Sequence, residues 1–173
     1  ELIAAPRGII FDRNGEALVR NIPAFGIVKN NKVEWLEQDV ALKMASNGTS
    51  VLAIVKRDYL YKDIFSHVIG YVGQVNSNEL LLPDYSDYGI SDFTGRMGLE
   101  EQYEKFLHGQ NGKQLYEVNA KGKRIRLLGE EEARQGVVLK TTLDVGIQKA
   151  AAKAMESIDR GAVVVTDPRD GSV

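Results

Sequence analysis

Apolar positions along the chain change period several times, and each change marks an expected element. Gly8-Ile9-Ile10-Phe11-Asp12 is a short β-prone run and Glu16-Ala17-Leu18-Val19-Arg20 is a second. Arg13-Asn14-Gly15 joins them. Asn-Gly between two apolar runs predicts a hairpin, because both residues accept positive φ at little cost. Residues 24–29 read as a third strand. Over 33–45 the period shifts: Val33, Leu36, Val40 and Met44 recur at three- and four-residue steps, with Glu34, Glu37, Asp39 and Lys43 between them. That spacing predicts an amphipathic helix, stopped by Asn47-Gly48. Residues 51–55 and 68–73 read as strands, the glycines of the second marking a tight bend or close approach.

Further along, Ser77 is placed to cap a short helix through residue 82, which Pro83 ends. Residues 84–94, rich in Asp, Ser, Tyr and Gly, read as a loop. A helix is expected over 99–107, closed by Gly109, then a hairpin of residues 113–119 and 123–128 turning at Lys121-Gly122. Residues 137–143 read as a strand. Asp144 caps a helix over 145–158, with Ile147, Ala151, Ala154 and Ile158 on one face. Residues 162–166 read as a last strand, leading into a Pro/Gly turn at Pro168 and Gly171. An apolar run without its partner predicts that the chain is a piece of a longer protein, and that this strand presents a free edge able to pair with a second copy. The fold class is α+β: an elongated domain of antiparallel hairpins and several helices, plus the start of a second domain.

Composition narrows the function. The chain has 173 residues, 43% of them hydrophobic, enough for a core. Its net charge of −2 provides no basic footprint for nucleic acid. Cysteine is absent, which excludes disulfides and cysteine-ligated metals. No stretch is long and apolar enough to span a bilayer, and residues 1–6 have no signal-peptide pattern. The two histidines, His67 and His108, are far apart and read as structural. Glu130-Glu131-Glu132 reads as a solvated run, and Gly95-Arg96-Met97-Gly98 lacks the lysine of a phosphate-binding loop. From the residues alone there is no catalytic, cofactor-binding or metal site, and the chain reads as a scaffold or binding module.

Four segments carry a resemblance. They are Pro6-Arg7-Gly8-Ile9-Ile10-Phe11-Asp12-Arg13-Asn14-Gly15, then His67-Val68-Ile69-Gly70-Tyr71-Val72-Gly73, then Gly95-Arg96-Met97-Gly98-Leu99-Glu100-Glu101-Gln102-Tyr103-Glu104 with Leu107 to Gly112, and last Thr142-Leu143-Asp144 and Gln148 with residues 161–168. In this order and approximate spacing they resemble the class B penicillin-binding proteins, nearest the elongation type known as penicillin-binding protein 2. Tyr116-Glu117-Val118-Asn119-Ala120-Lys121-Gly122 leans the same way, against the septal type of the division machinery. The resemblance covers nearly the whole chain apart from residues 30–56, where the family has a longer head subdomain.

The resemblance implies a division into a non-catalytic pedestal over 1–140, with a shortened head insert at about 30–56, and the first helix and strand of a transpeptidase domain over 141–173. The expected structural and interaction motif is Arg7, Gly8, Asp12, Arg13, Gly15, Gly70, Tyr71, Gly98, Leu99, Glu100 and Tyr103. Arg7, Asp12 and Arg13 bracket a hairpin that an Asp between arginines can anchor by charge-assisted hydrogen bonds. Leu99, Tyr103 and Phe106 are expected to face a core, with Glu100, Glu101 and Glu104 favoured by the helix dipole. The family's reaction, peptidoglycan cross-linking, needs Ser-x-x-Lys, Ser-x-Asn and Lys-Thr-Gly. None occurs; Lys140-Thr141-Thr142 lacks the glycine. The chain is therefore expected to be non-catalytic and without cofactor, and to belong to a membrane-anchored, penicillin-binding D,D-transpeptidase of cell-wall elongation and cell shape on the periplasmic face of the inner membrane. The partners implied are a membrane glycan polymerase and a periplasmic elongation scaffold protein. The alternatives are the septal counterpart and a self-standing enzyme.

Overall fold

The computed structural model describes residues 2–120 and 124–173. The described residues form three sheets. In a three-stranded sheet, β1 (Leu2–Ile3) pairs antiparallel with β8 (Gly112–Val118), which pairs with β9 (Arg124–Glu131). The main sheet holds β2 (Ile10–Phe11), β3 (Ala17–Lys29), β4 (Lys32–Leu36), β5 (Leu52–Tyr59) and β10 (Leu139–Lys140). A two-stranded sheet pairs β6 (Val72–Gln74) with β7 (Phe93–Gly95). The α-helices among the described residues are α1 (Gln38–Ser46), α2 (Ser66–Ile69), α3 (Gly98–Gln102), α4 (Glu104–Leu107) and α5 (Val145–Met155). None is long and apolar enough to cross a membrane. The architecture is α+β, as the sequence predicts.

The β2–β3 hairpin forms where expected, but only Gly15 of its turn has positive φ, at 86°. The second and third expected strands are one thirteen-residue strand, β3. Pro23 does not interrupt it, because on one side β3 leaves β2 at Val19 and meets β4 only from Phe25. A missing N–H on that side costs no ladder bond.

The larger departure is at residues 33–36, expected in a helix and found in β4. Asn30 and Asn31 have φ of 51° and 61°, the two positive values a tight two-residue hairpin turn requires, and Lys29 pairs directly with Lys32. The helix begins only at Gln38, and ends at Asn47-Gly48 as predicted, with Gly48 at φ 81°. Expected strand 68–73 is half helix: α2 takes Val68 and Ile69, and Gly70 at φ 77° turns the chain into β6. The strand at 51–55 runs on to Tyr59.

The short helix after Ser77 is two 3-10 turns, Glu79–Leu81 and Pro83–Tyr85, and Asn76 is the cap. Its Oδ1 accepts from the Asn78 and Glu79 amides, while Glu79 accepts from the Asn76 amide at 2.8 Å, a reciprocal box. The helix expected over 99–107 breaks at Tyr103 into α3 and α4. The β8–β9 hairpin is present; its expected turn at Lys121-Gly122 lies outside the described residues. Of 137–143 only β10 is strand, and it runs parallel to β2. Asp144 caps α5 as predicted, accepting from the Ile147 amide at 3.0 Å, but α5 ends at Met155 and Ile147 and Ile158 stay about half exposed.

Residues 162–166 form no strand. Val164 is 74% exposed, and a strand needs a neighbouring ladder that no described segment provides. Among the described residues β9 is a free sheet edge, exposed along its whole length.

The core gathers Ile10, Leu18, Val19, Phe65, Ile69, Leu107, Leu143 and Val145. It joins β2, β3, α2, α4 and the start of α5, each buried side chain contributing about 1.5–3 kcal/mol.

Candidate functional site

Two of the expected motif residues, Arg7 and Glu100, meet in a buried ion network rather than an open polar cleft; the others lie outside it. Arg7 precedes β2 in an extended segment whose Gly8 amide donates to the Leu107 carbonyl at 2.7 Å. A Cβ on Gly8 would lie 2.0 Å from the Val137 carbonyl oxygen, so only glycine admits this approach. The anchored backbone sends the Arg7 side chain into α3 and α4. Its Nε donates to Glu100 at 2.8 Å, Nη1 to Glu104 at 3.0 Å, and Nη2 to the Glu100 carbonyl at 3.1 Å and to Glu104 at 2.5 Å.

Glu100 is fully buried. Its other oxygen accepts from Arg57 Nε of β5 at 2.7 Å, while Arg57 Nη1 donates to Asn21 at 2.9 Å. Asn21 in turn donates to the Arg7 carbonyl at 2.6 Å. Glu104 also accepts from Tyr88 at 2.6 Å and from the Gly95 amide at 2.7 Å. One carboxylate between two guanidiniums therefore locks the N-terminal segment, β3, β5, α3, α4 and β7 together.

The electrostatics follow from burial and pairing. Burial lowers the Arg7 pKa, but Glu104 and Glu100 outweigh it and the guanidinium sits above its usual range. Burial would raise the Glu104 carboxyl; the Arg7, Tyr88 and Gly95 donors pull it down overall. Arg57 is lowered by burial, only partly offset by Glu100. Such a group of mutually neutralising side chains holds structure, and the one hydroxyl that joins it, Tyr88, is pushed up by burial and by Glu104 and stays protonated.

Asp12 anchors the hairpin, but not through the arginines. Its carboxylate accepts from the Asn14 and Glu16 amides, each at 2.8 Å, and from the Val145 amide at 3.4 Å. Burial would raise its pKa, and these amides hold it below the usual range. Arg13 instead crosses to the last segment, its Nε donating to the Thr142 carbonyl at 2.7 Å and its amide to the Leu143 carbonyl at 2.8 Å.

Gly70 and Gly98 pack backbone on backbone. A Cβ on Gly70 would meet the Met97 carbonyl oxygen at 1.8 Å, and one on Gly98 the Val68 carbonyl oxygen at 2.4 Å. Both have positive φ, 77° and 64°. Tyr71, next to this crossing, is 54% exposed.

Leu99 packs on the core as expected, but Tyr103 and Phe106 do not; Phe106 is 60% exposed. The break at Tyr103 rotates the face, so that Glu100 and Leu107 point inward. Glu100 thus acts as an ion-pair partner, not as a solvated dipole charge. Arg57, Asn21 and Tyr88 are members the sequence reading missed. Arg57 stands between Lys56 and Asp58, so no apolar alternation marks it as inward. His108 stacks on Tyr88 with centroids 3.9 Å apart, and burial lowers its pKa.

Comparison with known proteins gives a consistent picture. The family described as the penicillin-binding protein dimerisation domain matches residues 27–141. Peptidoglycan D,D-transpeptidase MrdA of Escherichia coli (strain K12) is 38% identical over 221 aligned residues, covering 99% of this chain and 35% of that protein. The protein of the same name from Acinetobacter baumannii is 29% identical, covering 96% and 32%. Penicillin-binding protein 2A of Bacillus subtilis (strain 168) is 31% identical, covering 84% and 23%. A chain in the solved complex between a penicillin-binding protein and MreC from Helicobacter pylori superposes with a TM-score of 0.69 at 24% identity, covering 90% of this chain and 38% of that one. That likeness shows the fold. The chain spans about a third of the length of the MrdA relatives it matches.

Proposed function

The chain belongs to the dimerisation-domain family of the class B, MrdA-type penicillin-binding proteins, and from that premise we propose that it is the pedestal of a membrane-anchored transpeptidase of cell-wall elongation. It holds the catalytic domain away from the outer face of the cytoplasmic membrane and docks a membrane glycan polymerase and a periplasmic scaffold protein. The observation that carries this reading is the buried Arg7–Glu100–Arg57–Glu104 network, which ties six segments into one unit. The Helicobacter pylori relative, solved with MreC, supports the scaffold as partner class.

The boundary between pedestal and catalytic domain lies near residue 140 in this reading, supported by the end of the family match at 141. The short head at about 30–56 corresponds to the compact β3–β4 hairpin and α1. It is supported by an alignment of 221 positions with the Escherichia coli protein against a chain of 173 residues. The motif from Arg7 to Gly15 and from Gly70 to Tyr103 is then the frame that fixes the tilt of the catalytic domain.

The test uses the full-length protein in complex with its polymerase. Charge reversals at exposed pedestal positions, such as Glu34→Lys and Asp39→Lys, should change glycan polymerisation and cross-linking by the complex while penicillin acylation stays at the unaltered rate. Unchanged polymerisation and cross-linking across a scan of that surface would remove the coupling role.

A further inference from the structure

A cavity of about 230 Å³ lies beside the ion network, with Arg57 in its lining. Trp35 of β4 and Phe93 of β7 form an aromatic wall, their centroids 5.5 Å apart, and Tyr59 of β5 adds a third ring. Arg57 reaches it with its donors unequally used. Nε is taken by Glu100 and Nη1 by Asn21, at 2.7 and 2.9 Å. Nη2 is buried and has no hydrogen-bond partner, in a side chain only 3% exposed.

Among the described residues it is the buried side-chain polar atom left in that state. A desolvated donor without an acceptor destabilises a fold substantially, and guanidinium has no acceptor capacity of its own to turn inward. Arg7, which also lines the cavity, is not in this condition, since all three of its nitrogens are bonded to Glu100 and Glu104. Lys56 adds a second cation on the solvent side, its Nζ 5.7 Å from the Trp35 ring centroid. The acid in the lining, Asp92, is engaged by the Gly89 amide at 2.8 Å and by Asn111 Nδ2 at 2.6 Å. The unused donor is therefore Arg57 Nη2, a buried atom of a cationic side chain that lines a cavity with aromatic faces.

We propose that this cavity binds a carboxylate carried on a small aromatic or branched apolar body. A carboxylate oxygen accepts from Arg57 Nη2 and the body lies against Trp35, Phe93 and Tyr59. Size sets the limit. An apolar cavity of roughly 150 Å³ admits benzene, so this one takes a ring plus a carboxylate, and it falls below the roughly 300 Å³ at which drug-sized sites begin. Such a group occurs in two places: a free aromatic acid, or the terminal carboxylate of a peptide ending in an apolar residue.

Calorimetric titration of the chain with four probes separates the outcomes: benzoate, its neutral analogue benzamide, acetyl-Gly-Phe and acetyl-Gly-Phe-amide. Each acid should saturate one site and bind at least about tenfold tighter than its amide, the margin of a charge-assisted bond. Arg57→Lys keeps a cation for Glu100 but has no Nη2, and should weaken benzoate by about tenfold. Should that variant not fold, as read by its thermal melt, Trp35→Ala serves instead. It leaves the ion network untouched and should weaken benzoate by at least about fivefold through the lost ring contact. Tighter binding of acetyl-Gly-Phe than of benzoate identifies a peptide terminus as the source, and the reverse a free acid. Equal binding of acids and amides, or no saturation by any probe at about 10 mM, overturns the proposal.

Discussion

Replacing Glu100 with glutamine removes one charge and leaves the shape of the site intact, so it isolates what the carboxylate does. In the wild-type fold its two oxygens face Arg7 Nε at 2.8 Å and Arg57 Nε at 2.7 Å, with the Glu100 side chain fully buried and the two arginines 8% and 3% exposed. At an effective dielectric near 20, each unit-charge pair at such separations attracts by roughly 4 kcal/mol, most of it offset by desolvation of the ions. The substitution forfeits the attraction and keeps the desolvation, stranding two guanidiniums beside Glu104 alone. Breaking a buried pair this way costs about 3–5 kcal/mol. For a chain of this size that is a fall in Tm of roughly 6–20 °C, at about 2–4 °C per kcal/mol. Urea unfolding followed by circular dichroism reads the value, with the slope unchanged if only the native state is affected. Arg20→Ala is the internal control: the Arg20–Asp58 pair is 2.8 Å long, but its arginine is 53% exposed, so its loss should cost under about 1 kcal/mol. If Glu100→Gln costs no more than the control, the network is not what holds these segments together.

Other outcomes follow from the same geometry. Gly70→Ala and Gly98→Ala each force a Cβ into a carbonyl at positive φ and should destabilise by at least about 2 kcal/mol in thermal melts. Gly129→Ala, with nothing near its Cβ, should stay within about 0.5 kcal/mol. Asp144→Ala should cost about 1 kcal/mol and reduce helical ellipticity, since the Ile147 amide loses its cap. The Glu79 carboxyl is held at about 2 by hydrogen bonds from Arg96 and the Asn76 amide, and Asp12 and Glu104 are also lowered. A carboxyl lowered in the folded state gives stability that is complete above its unfolded value near 4.3 and lost as pH falls through the folded one. Stability should therefore hold to about pH 5 and decline towards pH 2, and Glu79→Gln should flatten part of that decline in urea titrations at stepped pH.

What the sequence made legible is what local chemistry determines. The β2–β3 hairpin, the Asn47-Gly48 stop and the Asp144 cap each rest on a few adjacent residues, and each stands in the structure, as does the pairing of β8 with β9. At 33–36 two local signals compete. Val33, Leu36, Val40 and Met44 fit a helical period, yet Asn30-Asn31 imposes a hairpin and the ladder with β3 keeps Val33 to Leu36 extended. At Val68-Ile69 the apolar run suggests a strand, but the chain is turned by backbone contact between Gly70 and Met97, far away in sequence.

The ion network was half legible. Arg7 and Glu100 stand out as parts of a family motif, whereas Arg57 sits in a charged triplet where neither period nor composition says which way a side chain faces. Asp12 stood out for the right position and the wrong partners: amide N–H groups reach it before any guanidinium does. The run at 162–165 shows the remaining limit, because an apolar segment becomes a strand only when a neighbour supplies its hydrogen bonds.

The central claim is that this chain is a docking pedestal, and the most direct measurement is a calorimetric titration of the chain against the periplasmic part of an MreC-type scaffold protein. Saturable one-to-one binding, weakened by a charge reversal on the exposed pedestal surface and unaffected by penicillin, is the predicted result. No heat of binding at high protein concentration, from a chain whose melt shows it folded, would contradict it.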